Sequence, residues 1–84
     1  MKAVIDGRLY DTAAEGVVEI AVHSSLYRYD TLYRTKTGNY FVACLKCNPH
    51  IRALVVQEAR DFISGLDADE INLEAAPELV TGVA

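Results

Sequence analysis

The chain has 84 residues, of which 51% are hydrophobic and 24% are charged, and its net charge at pH 7 is -4. This length allows one domain, residues 1–84, with a compact core, and the composition is that of a folded protein rather than a disordered tail. No stretch approaches the roughly 20 apolar residues of a membrane span, and a charge at Asp6 leaves the N-terminus too few apolar residues for a signal peptide, so we predict a cytoplasmic protein.

The charge is distributed unevenly along the chain. Residues 1–60 carry all eight basic residues against six acidic ones, a net charge of +2, whereas residues 61–84 carry six acidic residues and no basic one. The C-terminal carboxylates are Asp61, Asp67, Asp69, Glu70, Glu74 and Glu78. We refer to residues 67–84 as the acidic segment. Such asymmetry bears on partners and solubility rather than on fold.

The first predicted element is a tight hairpin. Asp6-Gly7 separates two short apolar runs, and this dipeptide supplies the two positive-φ positions of a type I′ turn. Residues 2–5 and 8–10 are therefore expected to pair as antiparallel strands.

Residues 13–22 allow two interpretations. Asp11 or Thr12 can cap a helix, and Glu15 completes a capping box with Thr12. The same segment alternates like a strand from Val18 onward, and Gly16 disfavours a helix interior. We choose the helix because of the cap.

A second hairpin is predicted over residues 26–46. Residues 26–35 and 39–46 are rich in Tyr, Phe, Val and Thr, and a turn through Gly38 joins them. Strand alternation places Tyr27, Tyr29 and Tyr33 on one face. Asn48-Pro49 ends the second strand.

The rest of the chain predicts a strand over residues 51–55 and a helix from about residue 56 to 64. Ala59, Phe62 and Ile63 are spaced for one helical face, and Gly65 is a natural helix stop. Asp67 can cap one further short helix before Pro77. The predicted fold class is α+β, a small antiparallel sheet built from two hairpins with one or two helices packed on one face.

The residues from Tyr29 to Phe41 read Tyr-Asp-Thr-Leu-Tyr-Arg-Thr-Lys-Thr-Gly-Asn-Tyr-Phe, and Tyr10-Asp11-Thr12 precedes them. Together these segments resemble the YDT … LYRTKxGNYF pattern of small bacterial proteins found on phages and integrative elements. The resemblance covers the front half of the chain and, loosely, Glu58-Ala59-Arg60. It implies a mobile-element setting in a bacterial host, and a helical stretch after the YDT, but no reaction.

The sharpest chemical candidate is Cys44-Leu45-Lys46-Cys47-Asn48-Pro49-His50. Cys44, Cys47 and His50, with His23 elsewhere, have the ligand types of a zinc site. Strand alternation, however, sends Cys44 and Cys47 to opposite faces, and there is only one Cys-x-x-Cys motif. We predict no bound metal and no cofactor, with a zinc-stabilised module as the alternative.

Aromatic and basic side chains interleave between Tyr27 and Tyr40, a pattern that can stack bases and neutralise phosphates. One face of this sheet must nevertheless be buried, and tyrosines commonly border such a core. Overall acidity also opposes phosphate binding. We therefore expect no direct nucleic-acid binding, and keep a nucleic-acid-contacting accessory module as part of the alternative.

The sequence predicts an interaction protein rather than an enzyme. It lacks a Gly-rich phosphate loop, a paired-carboxylate motif and a recognisable nucleophile setting. By analogy with small acidic phage-borne proteins that occupy basic grooves, we predict an anti-CRISPR-type inhibitor of a host protein or nucleoprotein complex. The predicted partner-binding residues are Asp67, Asp69, Glu70, Glu74, Tyr27, Tyr29 and Tyr33. The oligomeric state and the target are left open.

Overall fold

The computed structural model describes residues 1–46 and 48–84. This part of the chain forms strands, one α-helix and two short 3-10 turns. Their bounds are β1 Lys2–Ile5, β2 Arg8–Asp11, β3 Val18–Ser24, β4 Tyr29–Arg34, β5 Tyr40–Cys44, β6 His50–Leu54, α1 Val56–Ile63, and the 3-10 turns Ala68–Glu70 and Pro77–Leu79.

Strands β1 and β2 form the predicted hairpin, a two-stranded antiparallel ribbon with Ile5 opposite Arg8. Asp6 and Gly7 have φ values of 52° and 77°. These are the two positive-φ positions that a type I′ turn requires, so the hairpin prediction is confirmed.

The helix predicted over residues 13–22 is wrong. The Asp11 carboxylate does accept a hydrogen bond from the Ala13 amide at 2.9 Å, but this closes a local turn instead of starting a helix. Gly16 then takes a φ of 79°, a conformation outside the helical region. Strand β3 follows, because its apolar alternation can be buried against the neighbouring strand.

Strands β3 to β6 form one antiparallel sheet in the order β3-β4-β5-β6. The predicted turn between β4 and β5 is present: the Thr35 amide donates to the Asn39 carbonyl at 2.8 Å, and Gly38 has a φ of 88°. Strand β4 is shorter than predicted, since Leu26 and Tyr27 form the β3–β4 turn instead of extending the strand.

A β-bulge interrupts the register of β3 between Glu19 and Ala21. Such a bulge inserts one extra residue into one strand and shifts the faces of the residues that follow. Ile20 and Ala21 are both buried in the same core cluster. Beyond the bulge, His23 lies on the core side and its ring contacts Phe62 with a centroid separation of 4.6 Å.

Two clusters cover the two faces of the sheet. Helix α1 and the acidic segment cover one face, and the β1–β2 ribbon packs on the other. The first cluster contains Ile20, Ala21, Leu32, Tyr40, Val42, Cys44, Leu54, Ala59, Phe62, Ile63, Ala76 and Leu79. The second cluster contains Tyr10, Phe41, Ala43 and Ile51.

The α+β class, the hairpins and the helix packed on one face are confirmed. Helix α1 buries Ala59, Phe62 and Ile63 as its spacing predicted, and Gly65 follows it with a φ of 85°. Within the described residues, no helix has the length and hydrophobicity needed to cross a bilayer.

Candidate partner-binding site

The acidic segment runs beside β3, the edge strand of the sheet. The Asn72 amide donates to the Ile20 carbonyl at 2.8 Å, and its side-chain amide donates to the Glu19 carbonyl at 3.4 Å. Asp67 caps the first 3-10 turn by accepting a hydrogen bond from the Asp69 amide at 3.0 Å. The bulge explains this docking, because it leaves the Ile20 carbonyl at the edge of the sheet.

In the short helix predicted before Pro77, the spacing of three and four residues would place Asp67, Glu70 and Glu74 on one face, but that face is not formed. The 3-10 turn spans only Ala68–Glu70, so Glu74 lies beyond it and shares no helix with the other two. After this turn the Asn72 amide donates to the Ile20 carbonyl of β3, so the chain follows the edge of the sheet instead of continuing as a helix.

All four predicted carboxylates of the acidic segment are exposed. They are Asp67, Asp69, Glu70 and Glu74. In the described part of the chain the ion pairs join Arg28 to Asp30 and Arg34 to Glu78, so none of these four carboxylates is neutralised by a basic side chain, although Asp67 also caps the 3-10 turn. Their charge is therefore available to a partner.

Glu78 is the exception among the C-terminal carboxylates, because it anchors the segment to the sheet. It accepts hydrogen bonds from the Tyr40 hydroxyl and, at 3.0 Å, from the Arg34 guanidinium. Arg60 of α1 donates to the Glu78 carbonyl at 2.9 Å. The Tyr40 hydrogen bond, with a smaller contribution from Arg34, lowers the pKa of Glu78, so this carboxylate is committed to the fold.

The three predicted tyrosines have different environments. Tyr33 is half-buried and stacks on Phe41 with a centroid separation of 5.2 Å, and burial is the main cause that raises its pKa. Tyr29 is 37% exposed and Tyr27, in the β3–β4 turn, is 77% exposed. Tyr27 and Tyr29 thus present more surface to a partner than Tyr33 does.

Two exposed leucines accompany these tyrosines at the same end of the sheet. Leu26 is 78% exposed in the turn, and Leu45, 47% exposed, bonds through its amide to the Tyr29 carbonyl at 2.9 Å. We refer to Leu26, Tyr27, Tyr29 and Leu45 as the apolar tip. Sequence reasoning had assigned Leu26 to a strand and missed Leu45. The sequence signal for this exposed turn was that the two residues between the strands, Leu26 and Tyr27, are not the Gly, Asn or Asp that a two-residue hairpin loop favours.

A groove of about 500 Å³ lies between β3 and the acidic segment. We refer to it as the β3 groove. Glu19, Val22 and Ser24 line one side, and Asp69 and Glu70 line the other. Ser24 pairs with Tyr29 in the sheet, so the end of the groove at Ser24 lies next to the apolar tip.

The residues considered for zinc lie partly in one row across the sheet. His23 is opposite Asp30, Asp30 opposite Cys44, and Cys44 opposite His50. Cys47 lies outside the described residues, so the predicted alternative of a zinc site through Cys44, Cys47 and His50 has no geometry here. Residues 1–46 and 48–84 contain no cluster of three or more histidine, cysteine or carboxylate side chains arranged to hold a metal.

The groups in this row are occupied by other contacts. His23 Nε2 lies 2.6 Å from the Phe62 carbonyl, and His50 Nδ1 lies 2.8 Å from the Asn48 carbonyl. Cys44 is buried, and burial together with its hydrogen bond to Asp30 raises the pKa of its thiol. Because the thiolate is the nucleophilic form, Cys44 is poorly suited to covalent chemistry at neutral pH.

Comparison with protein-family models, with curated proteins and with solved structures gives no significant match to this chain.

Proposed function

We propose that this chain is a non-enzymatic interaction protein of a phage or mobile element, which binds and inhibits a nucleic-acid-handling complex of its bacterial host. The observation that carries this proposal is that the β3 groove has the acidic segment along one side and ends next to the apolar tip, through the Ser24–Tyr29 pair. Exposed carboxylates and exposed apolar side chains, far apart in sequence, thus lie along the same edge of the sheet.

The carboxylates suit a basic partner surface. Asp69 and Glu70 are exposed and line the groove with Glu19, and among the residues that the structure describes no basic one lines it. Complexes that handle nucleic acids carry basic channels for the phosphate backbone. Complementary charge accelerates encounter with such a channel and selects against acidic partners.

The apolar tip suits a protein partner. Leu26 and Tyr27 expose more than three quarters of their surface, 78% and 77%, and they are adjacent in one turn. Exposed apolar patches with a polar rim mark interaction sites, and tyrosine is enriched among the residues that dominate binding energy.

The basic residues beside the tyrosines favour a protein over a nucleic acid. Arg28 pairs with Asp30, and Arg34 pairs with Glu78. Guanidinium groups held by carboxylates are less available to phosphates, so the aromatic and basic pattern alone supports nucleic-acid binding poorly. The resemblance noted from Tyr10-Asp11-Thr12 and residues 29–41 supplies the mobile-element setting.

The test is capture of the host complex, followed by measurement with the purified target. The tagged protein is incubated with bacterial lysate, the captured complex is identified by mass spectrometry, and its affinity and nucleic-acid binding are measured. Two variants address the surface: Asp69→Asn with Glu70→Gln, and Leu26→Asn with Tyr27→Gly. Matched controls are Asp6→Asn with Glu15→Gln, which removes the same charge elsewhere, and Val4→Ser at an apolar residue that is 71% exposed.

We expect each surface variant to bind the purified target about tenfold or more weakly than the native protein, since interface hot spots contribute at least this much to affinity. The controls should bind like the native protein, and the native protein should block nucleic-acid binding by the target. If both surface variants bound the target with native affinity, the interface would lie elsewhere. If the target still bound nucleic acid fully while bound to the native protein, inhibition would be contradicted.

A further inference from the structure

The hairpin between β3 and β4 determines which backbone N–H and C=O groups of β3 point outward, away from β4. The Ser25 amide donates to the Arg28 carbonyl at 2.7 Å, and the Arg28 amide donates back at 3.4 Å. Paired residues in an antiparallel ladder alternate between bonded and non-bonded pairs. Ser24 and Val22, which face Tyr29 and Thr31, are therefore non-bonded positions whose N–H and C=O groups point away from β4.

The acidic segment satisfies only the start of this edge. Asn72 bonds to the carbonyl of Ile20 at the bulge, after which the groove separates the two segments. Within the described residues, no hydrogen bond reaches the outer backbone groups of Val22 or Ser24. Both residues line the groove, and Ser24 is exposed.

An open strand edge is a template for another strand, and proteins usually protect it with proline, lysine or an inward-pointing charge. The residues of β3 after the bulge are Ala21, Val22, His23 and Ser24. They include no lysine and no proline, and the His23 ring contacts Phe62. The half of β3 nearest the apolar tip is thus open to strand addition.

The geometry points to β-strand addition at this edge: an extended segment of the partner, carrying lysine or arginine, lies in the β3 groove and bonds to Val22 and Ser24 as a fifth strand. This inference rests on the proposed function and names the mode of binding. Backbone hydrogen bonds supply affinity in such complexes, and alternate side chains supply specificity. The exposed carboxylates of Asp69 and Glu70, which line the groove, select basic side chains on the added segment.

The sharpest test removes one backbone donor and leaves every side chain in place. The protein is synthesised in two pieces joined at Cys44, with the amide N–H of Val22 replaced by an ester oxygen. The control carries the same replacement at Leu9, whose N–H points away from β1 by the same alternation, because Ile5 and Arg8 flank the two-residue turn. Neither ester interrupts a hydrogen bond between native strands.

The probe is an acetylated and amidated hexapeptide of alternating lysine and valine, compared with one of alternating glutamate and valine. Binding is followed by NMR titration and by amide hydrogen exchange. We expect the lysine peptide to shift and protect the Val22 and Ser24 amides, and the glutamate peptide to leave them unchanged. The Val22 ester should bind the lysine peptide about tenfold more weakly, as expected for the loss of one or two backbone hydrogen bonds, and the Leu9 ester should bind normally.

Shifts confined to other residues, or equal affinity of the Val22 ester and the native protein, would overturn strand addition. Strand addition by a partner would also be overturned if the native protein formed a dimer that the Val22 ester did not form. The added strand in the β3 groove would then come from a second copy of the chain. The host target separates this inference from the proposed function. If the target binds the Val22 ester normally but not the tip and charge variants, the interaction function stands and strand addition fails. If the lysine peptide binds β3 but no target is captured, strand addition stands and the proposed function fails.

Discussion

At the scale of single residues, Tyr40 links the core to the acidic segment. Its side chain is almost completely buried, and its hydroxyl donates to Glu78. Burial, followed by the hydrogen bond to Glu78, raises the pKa of Tyr40 from 10.0 to about 12. The folded protein therefore favours the neutral phenol more strongly than the unfolded chain does.

This difference predicts a loss of stability in alkaline solution. Because the folded pKa lies above the unfolded value, the contribution of Tyr40 is fully present below pH 10.0 and is lost as the pH rises to about 12. The measurement is urea unfolding of the native protein and of Tyr40→Phe from pH 8 upward. At pH 8 the variant should be less stable by about 1.5–3 kcal/mol, the usual contribution of a hydrogen bond to a charged group.

The unfolding free energies of the native protein and of the variant, plotted against pH, should converge as the pH rises, since the variant lacks the phenol that titrates. Parallel curves across this range would show that Tyr40 ionises equally easily in the folded and unfolded states, and that its contact with Glu78 does not stabilise the fold.

At the scale of elements, the sequence predicted what depends on local chemistry. Asp6-Gly7, the turn at Gly38 and the apolar spacing of α1 each identify an element, because positive φ or a helical face requires those residues. For residues 13–22 the cap signal and the resemblance predicted a helix, and both were misleading. The Asp11 side chain makes the same type of hydrogen bond in an isolated turn, so a cap signal does not establish that a helix follows.

The candidate site was predicted only in part for the same reason. The acidic residues and Tyr27 could be identified from the sequence, whereas their proximity depends on the bulge at Ile20 and on the contact of Asn72 with the β3 edge. A bulge has no strong sequence signal, and the contact joins residues about fifty positions apart. The β3 groove could therefore be found only from the fold.

The β3–β4 turn gives a prediction about stability that separates fold from function. A two-residue hairpin loop favours type I′ residues, yet Leu26 and Tyr27 occupy it and neither has a positive φ. Replacing them with Asn-Gly should keep the stability within about 1 kcal/mol of the native value, measured by differential scanning calorimetry, because the type I′ turn favoured by Asn-Gly matches the strand twist and offsets the entropy that Gly adds to the unfolded chain. A loss of more than that amount would mean that Leu26 and Tyr27 are held for folding rather than for binding.

At the scale of the whole molecule, the sheet buries one face under α1 and the other under the β1–β2 ribbon. The ribbon is a separate sheet, and a two-stranded hairpin alone is marginally stable in water. Phe41 is completely buried, with its ring 5.4 Å from Tyr10 and 5.2 Å from Tyr33. It is the main side chain through which β5 holds the ribbon.

The last prediction follows from this position of Phe41. Phe41→Ala should lower the free energy of unfolding by about 3–5 kcal/mol, a large part of the roughly 4–13 kcal/mol expected for a domain of this length. The control is Leu9→Ala on the outer face of the ribbon, where the side chain is 62% exposed and the cost should stay within about 0.5 kcal/mol. Chemical unfolding, monitored by NMR resonances of β2 and of α1, should give coincident transitions in both variants, because the ribbon and the helix pack on opposite faces of the same four-stranded sheet. Earlier melting of β2 in the native protein would show that the ribbon folds as an independent unit, and Phe41→Ala would then destabilise the ribbon alone.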